Sequence, residues 1–229
     1  QRYLEHGELR TADKIYLAAI GAGTDWPTIE RLLPEANKNF AKVEETFTAD
    51  YQADYSKKSP LPNKQQSAIG GLIDDEFPSG TDAPEAIKGK AVLAFGEPQP
   101  MDLVRAGTNG DTLLKPLQQA RQAVDSTEVL QKQYQERYPE SLLQKHVESK
   151  LSGEDIKRGR MILDGTFTAR NRIKLAMGMG IDPDEKEIWA AIQEATPAEV
   201  GELRQEYKNQ GEIYKMFKGE TFTGLSKEN

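Results

Sequence analysis

The chain has 229 residues, 37 acidic against 30 basic for a net charge of -7, and no cysteine. Without cysteine there are no disulfides, no thiol nucleophile and no cysteine-ligated zinc. No stripe of Lys and Arg offers the counterion release that nucleic acid binding needs, and no apolar run approaches the roughly 18 residues of a membrane span. The same charge repels an anionic membrane unless a cation stands between them. The sequence opens at Gln1 with no signal-peptide pattern, and reads as a mature product or a piece of something larger.

In chain order the signals are helical. Thr11 reads as an N-cap for TADKIYLAAI, with Ile15, Leu17, Ala18 and Ile20 apolar. Asp25 precedes WPTIERLL, where Ile29, Leu32 and Leu33 share a face. FAKVEETFTADY sets Phe40, Val43 and Phe47 at helical spacing, and the run KVEETFTADYQAD reads as a solvated face. Residues 52–66 are polar with two prolines and read as a loop. KAVLAF (90–95) suits a short strand or a buried helix segment, and GEPQPM (96–101) breaks the pattern. STEVLQKQYQERY places Leu130, Tyr134 and Tyr138 together. Ser152 is expected to cap the next helix, with Asp155 closing a capping box. Asp182-Pro183-Asp184-Glu185 and Thr196-Pro197-Ala198-Glu199 are both helix starts, the second the stronger. The fold class is all-α.

Self-similarity organises these helices. TADKIYLAAIGAGTD (11–25) resembles TARNRIKLAMGMGID (168–182), and a weaker copy begins at MDLVRAGTNGD. The expected units are 11–96, 97–165 and 166–229, the last without its closing helix. Residues 1–10 then read as the closing helix of a preceding unit.

These residues resemble an annexin repeat. Gly21-Ala22-Gly23-Thr24-Asp25 matches the family's GxGTD loop, Glu148-Ser149-Lys150-Leu151-Ser152-Gly153-Glu154 resembles its later acidic turn, and Gly178-Met179-Gly180-Ile181 is a loop that has lost its threonine. The resemblance implies helical repeats in which calcium is held by loop carbonyls and a distant carboxylate. It implies Gly21, Gly23, Thr24 and Glu76 in the first unit, and Gly178, Gly180 and Glu220 in the third. Residues 182–219 give the third unit the family's spacing to Glu220. The 51 residues 25–75 are longer, by about the size of the proline loop. Asp184 rather than Asp182 fits as the motif aspartate, because it places Ile188 correctly. In the second unit the acidic position falls on Lys150, whose ammonium opposes a cation, so no metal is expected there.

A hard cation such as calcium takes six to eight oxygens, which a tight glycine turn can supply from its carbonyls. The simpler alternative is that each Gly-x-Gly only ends a helix, with Asp25 or Asp182 as N-cap of the next. Trp26 is a membrane-contact residue on the first reading and packs on its own helix start on the second. Trp189 reads as core. His6 and His146 lie in neither a metalloprotease motif nor a triad, and read as surface or capping residues. GTNGD (107–111) lacks the lysine of a phosphate loop. No catalytic residue is expected. The function implied is a non-enzymatic module that binds anionic phospholipid through calcium, secreted or peripheral to a membrane. The alternative is a docking segment of a bacterial effector delivered by a secretion or injection machine, with vestigial loops and other subunits of the assembly as partners.

Overall fold

A computed structural model describes residues 7–20, 23–51, 53–54, 57–77, 82–177 and 184–208. Among these the chain forms thirteen helices and one two-residue strand pair. None of the helices is long and apolar enough to cross a membrane. The chain divides into two compact units, 1–159 and 160–229.

The first five helices are α1 (Thr11–Ala19), α2 (Trp26–Lys38), α3 (Phe40–Tyr51), α4 (Ala68–Asp75) and α5 (Pro84–Phe95). Ile15, Ile29, Leu33, Phe47, Ile69, Leu72 and Ile73 are fully buried in their common core. KAVLAF is therefore helical, as the end of α5. The proline segment is not wholly irregular: β1 (Ser59–Pro60) pairs antiparallel with β2 (Gln66–Ser67). It lies across α4, where a Cβ on Gly71 would stand 2.0 Å from the Lys57 carbonyl oxygen. Only glycine lets the two backbones approach so closely. Ser59 donates to the buried Asp74, and Lys90 Nζ pairs with the same carboxylate at 2.8 Å.

A second set follows: α6 (Pro100–Ala106), α7 (Gly110–Gln122), α8 (Thr127–Arg137), α9 (Leu143–Lys150) and α10 (Gly153–Leu163). The later unit holds α11 (Ala169–Met177), α12 (Glu185–Glu194) and α13 (Pro197–Glu206), packed on Ile173, Ile188 and Leu203, with Trp189 only half-buried against them.

One buried device recurs. The N-terminus of α1 leaves backbone N–H groups without helical partners. Asp13 turns back to accept from the Arg10 amide at 3.0 Å and takes two guanidinium hydrogen bonds at 2.8 Å. Tyr51, the last residue of α3, donates its hydroxyl to the same carboxylate at 2.6 Å. The N-cap of α1 is thus Arg10 and not Thr11, whose hydroxyl goes to Glu35. At α6 the same arrangement returns: Asp102 accepts from the Gln99 amide at 2.8 Å and from the Tyr138 hydroxyl at 2.7 Å. Arg137 Nε stands 2.8 Å from Asp102, a contact of charge whose N–H does not point along it. At α11 the carboxylate comes from elsewhere, since Glu199 of α13 accepts from the Ala169 amide at 3.2 Å.

Other caps are mixed. The Thr196–Glu199 capping box forms as expected. Glu44 does not lie on a solvated face: it accepts from Ser67, Ala68 and Ile69 and caps α4 from a neighbouring helix. α10 starts directly after Ser152, but the Asp155 carboxylate lies against Gly110 at the start of α7.

The Arg10 guanidinium holds the Asp13 carboxyl well below the usual range, whereas burial outweighs the neighbouring donors and raises Asp102. A depressed carboxyl contributes stability that is present above its unfolded value and lost as pH falls through the folded one. Asp13→Asn should therefore cost about 2 kcal/mol at pH 7, read by urea unfolding, and the gap to the parent protein should narrow once the pH falls below about 4. Asp102→Asn should not reproduce that narrowing.

Candidate functional site

The loop between α1 and α2 is fixed from its aspartate. The Asp25 amide donates to the Ala18 carbonyl at 2.8 Å, and its side chain accepts from the Thr28 amide at 3.2 Å as N-cap of α2. The proline at the start of α2 has no N–H to satisfy and suits that position. Thr24 is thereby aimed across the fold, and its hydroxyl donates to the carboxylate of Glu76, the residue that closes α4. Beside this pair Trp26, two residues on from Thr24, meets Phe77 edge-on at 4.9 Å. Two loops 52 residues apart are thus joined by a polar pair and an aromatic pair side by side.

Among the expected site residues, then, Thr24 and Glu76 come together and Gly23 lies exposed in the same loop. Gly21, Gly178, Gly180, Glu220 and His6 lie outside the described residues. Trp26 is half-buried, its ring against Phe77 and Gly89 of α5, where a Cβ would sit 2.7 Å from the ring. The apolar groups that face solvent near this loop are Leu17 and Ile20, 49% and 48% exposed at the end of α1. The helical pattern of α1 hid them, because it marks apolar residues without saying which side meets the core.

The side-chain groups brought together here are both oxygens, the Thr24 hydroxyl and the Glu76 carboxylate. That set suits a hard cation and not a transition metal. Among the described residues no three His, Asp or Glu cluster closely enough to hold a metal ion. A cation at this loop would therefore depend on backbone carbonyls around a single carboxylate from Glu76.

The corresponding turns differ. Before α12, Asp184 repeats both contacts of Asp25: its amide donates to Ala176 at 3.0 Å and its carboxylate accepts from Glu187. Before α7 the cap is Asn109, which exchanges hydrogen bonds with Thr112. Each cap is followed four residues on by a fully or nearly buried aliphatic: Ile29, Leu113 and Ile188.

A second cluster was missed by sequence reasoning. His146 is buried, not at the surface. Its Nε2 faces the Val104 carbonyl at 3.1 Å, so that nitrogen carries the proton and donates. Nδ1 then accepts from Arg105 Nη1 at 3.4 Å. Arg105 also donates to Asp82 at 2.5 Å and lies over the Tyr138 ring. Burial, followed by the charges of Arg105 and Lys150, pushes the imidazole down to about 4. Lys145, Lys150, Ser141 and Ser149 join Arg105, His146 and Asp82 around a cavity of about 360 Å³. No periodic pattern announces such a site, because its members come from α6, α9 and the turns before α5 and α9.

No family model, curated protein or solved structure matches this chain.

His146 is neutral in the fold and binds a proton more readily unfolded, so stability should fall between pH 6.5 and about 4. The share due to this ring is about 3 kcal/mol, and His146→Gln should flatten the urea-unfolding profile over that window. Separately, Gly89→Ala should push the Trp26 ring outward. In a Trp189→Phe background, its fluorescence should shift to the red.

Proposed function

We propose that this chain is a non-enzymatic, annexin-like helical module that docks on anionic phospholipid through calcium at the Thr24–Glu76 loop pair. The observation that carries the reading is the hydrogen bond from Thr24 to Glu76, which brings a glycine-flanked loop and a remote carboxylate to one place. In this reading Glu76 supplies the carboxylate, and the carbonyls around Gly21 and Gly23 supply further oxygens. A bound calcium would offset the repulsion between lipid phosphates and a protein of charge -7. Positions left open on the ion would accept lipid oxygens. Ile20 and Leu17, exposed beside the loop, give that surface an apolar contact with the membrane interface. They take the membrane-contact role that the sequence suggested for Trp26.

A docking segment of a larger delivered assembly is the second reading. It is favoured by Lys150, which ends α9 where Glu76 closes α4, and which leaves the second five-helix set without that carboxylate.

Co-sedimentation with vesicles containing phosphatidylserine tests the first reading. Calcium should pellet the chain and a chelator should release it. Glu76→Gln should raise the calcium needed by about tenfold or more, and Ile20→Ser should weaken pelleting at saturating calcium. No calcium-dependent pelleting would remove the membrane reading and leave the docking one.

A further inference from the structure

The cavity around Arg105 has no part in the calcium reading, and its chemistry is the reverse of the Thr24–Glu76 loop. Its wall carries three cations, Arg105, Lys145 and Lys150, against one carboxylate, Asp82. Such an excess of positive charge is local in a chain whose net charge is -7. Arg105 is held rigidly. Its side chain is 13% exposed, one guanidinium nitrogen is on Asp82, another is on His146, and the plane lies over Tyr138. His146 cannot turn away, because its other nitrogen is committed to the Val104 carbonyl. A neutral imidazole fixed in this tautomer accepts from the guanidinium and so orients it. Lys145 and Lys150 are exposed at the ends of long stems and can close on whatever Arg105 holds. The Ser141 and Ser149 hydroxyls add neutral donors to the same wall.

We infer that this cavity binds a phosphate-bearing anion, without calcium, between Arg105, Lys145 and Lys150. Guanidinium and ammonium groups form charge-assisted hydrogen bonds to phosphate oxygens, and Arg does so with fixed geometry. Asp82 is 69% exposed and meets Arg105 with a carboxylate oxygen, the same kind of acceptor that a phosphate would present. It competes with the ligand for Arg105 and is displaced or shared when a doubly charged phosphate arrives. Where the fourth helix of the first set closes on Glu76, that of the second set ends on Lys150. The Lys150 ammonium does there the work that the first set would give to a metal ion.

The test uses the full chain in a chelating buffer at low salt. One arm titrates it calorimetrically with inorganic phosphate and with glycerol 3-phosphate. The other sediments it with phosphatidylcholine vesicles, with and without phosphatidic acid. Lys150→Glu and Lys145→Glu, both at exposed positions, should each weaken binding about tenfold or more. Asp82→Asn should tighten it about threefold. Binding of the soluble phosphates without pelleting identifies a free phosphate compound as the ligand. Pelleting that requires phosphatidic acid and is lost in the two lysine variants identifies a lipid headgroup. The inference is overturned if neither arm shows binding, or if the lysine variants bind as the parent does. Glu76→Gln should leave both arms unchanged, so failure of the calcium reading and failure of this one are separable.

Discussion

A buried carboxylate at the start of a helix, reached by a tyrosine from the end of another, sets the geometry of the first two helical sets. Asp13 receives Tyr51, and Asp102 receives Tyr138. Each carboxylate also takes a backbone N–H that its helix leaves unpaired. The first and third helices of a set are therefore tied by groups that cannot be left unsatisfied in a dry interior. In the first set the intervening second helix buries Ile29, Leu32, Leu33 and Ala36 in the core that the tied helices share. Although the two devices look alike, they are electrically different. Asp13 sits beside a guanidinium that grips it with two hydrogen bonds, and Asp102 is more deeply buried with a less well-aligned arginine.

From that frame the loop between α1 and α2 acquires a partner. Asp25 anchors the loop to α1 and to α2 at once, leaving Thr24 and Trp26 to reach toward the end of α4. Thr24 takes Glu76, and Trp26 takes Phe77. The aromatic contact is as much a part of the junction as the polar one. It draws the tryptophan inward and leaves the aliphatic end of α1 as the outward face.

The second set keeps the helices and changes the chemistry. Asn109 and Thr112 satisfy one another where Asp25 works alone in the first. Lys150 stands at the end of the fourth helix, and the fixed pair of Arg105 and His146 lines the same cavity. The two sets thus carry charges of opposite sign at the ends of their fourth helices.

The helices themselves were legible because their signals are local. A cap acts over three or four residues, and Asp25 and the Thr196–Glu199 box do what their spacing implies, whereas α12 is capped by Asp184 and not by the expected Asp182. The recurrence of Thr-Ala, small residues and a turn aspartate was likewise visible by inspection, and so was the all-α class. Helical periodicity could not say that Leu17 and Ile20 face outward, since it marks apolar residues and not the direction of the core. The sequence could nominate Glu76 as Thr24's partner only by resemblance, since 52 residues and an inserted strand pair separate them. The role of Glu44 as a cap for another helix, the inward turn of Trp26 and the burial of His146 beside Arg105 were all settled by packing. Each depends on which backbone lies opposite, and that is fixed only when the helices close on one another.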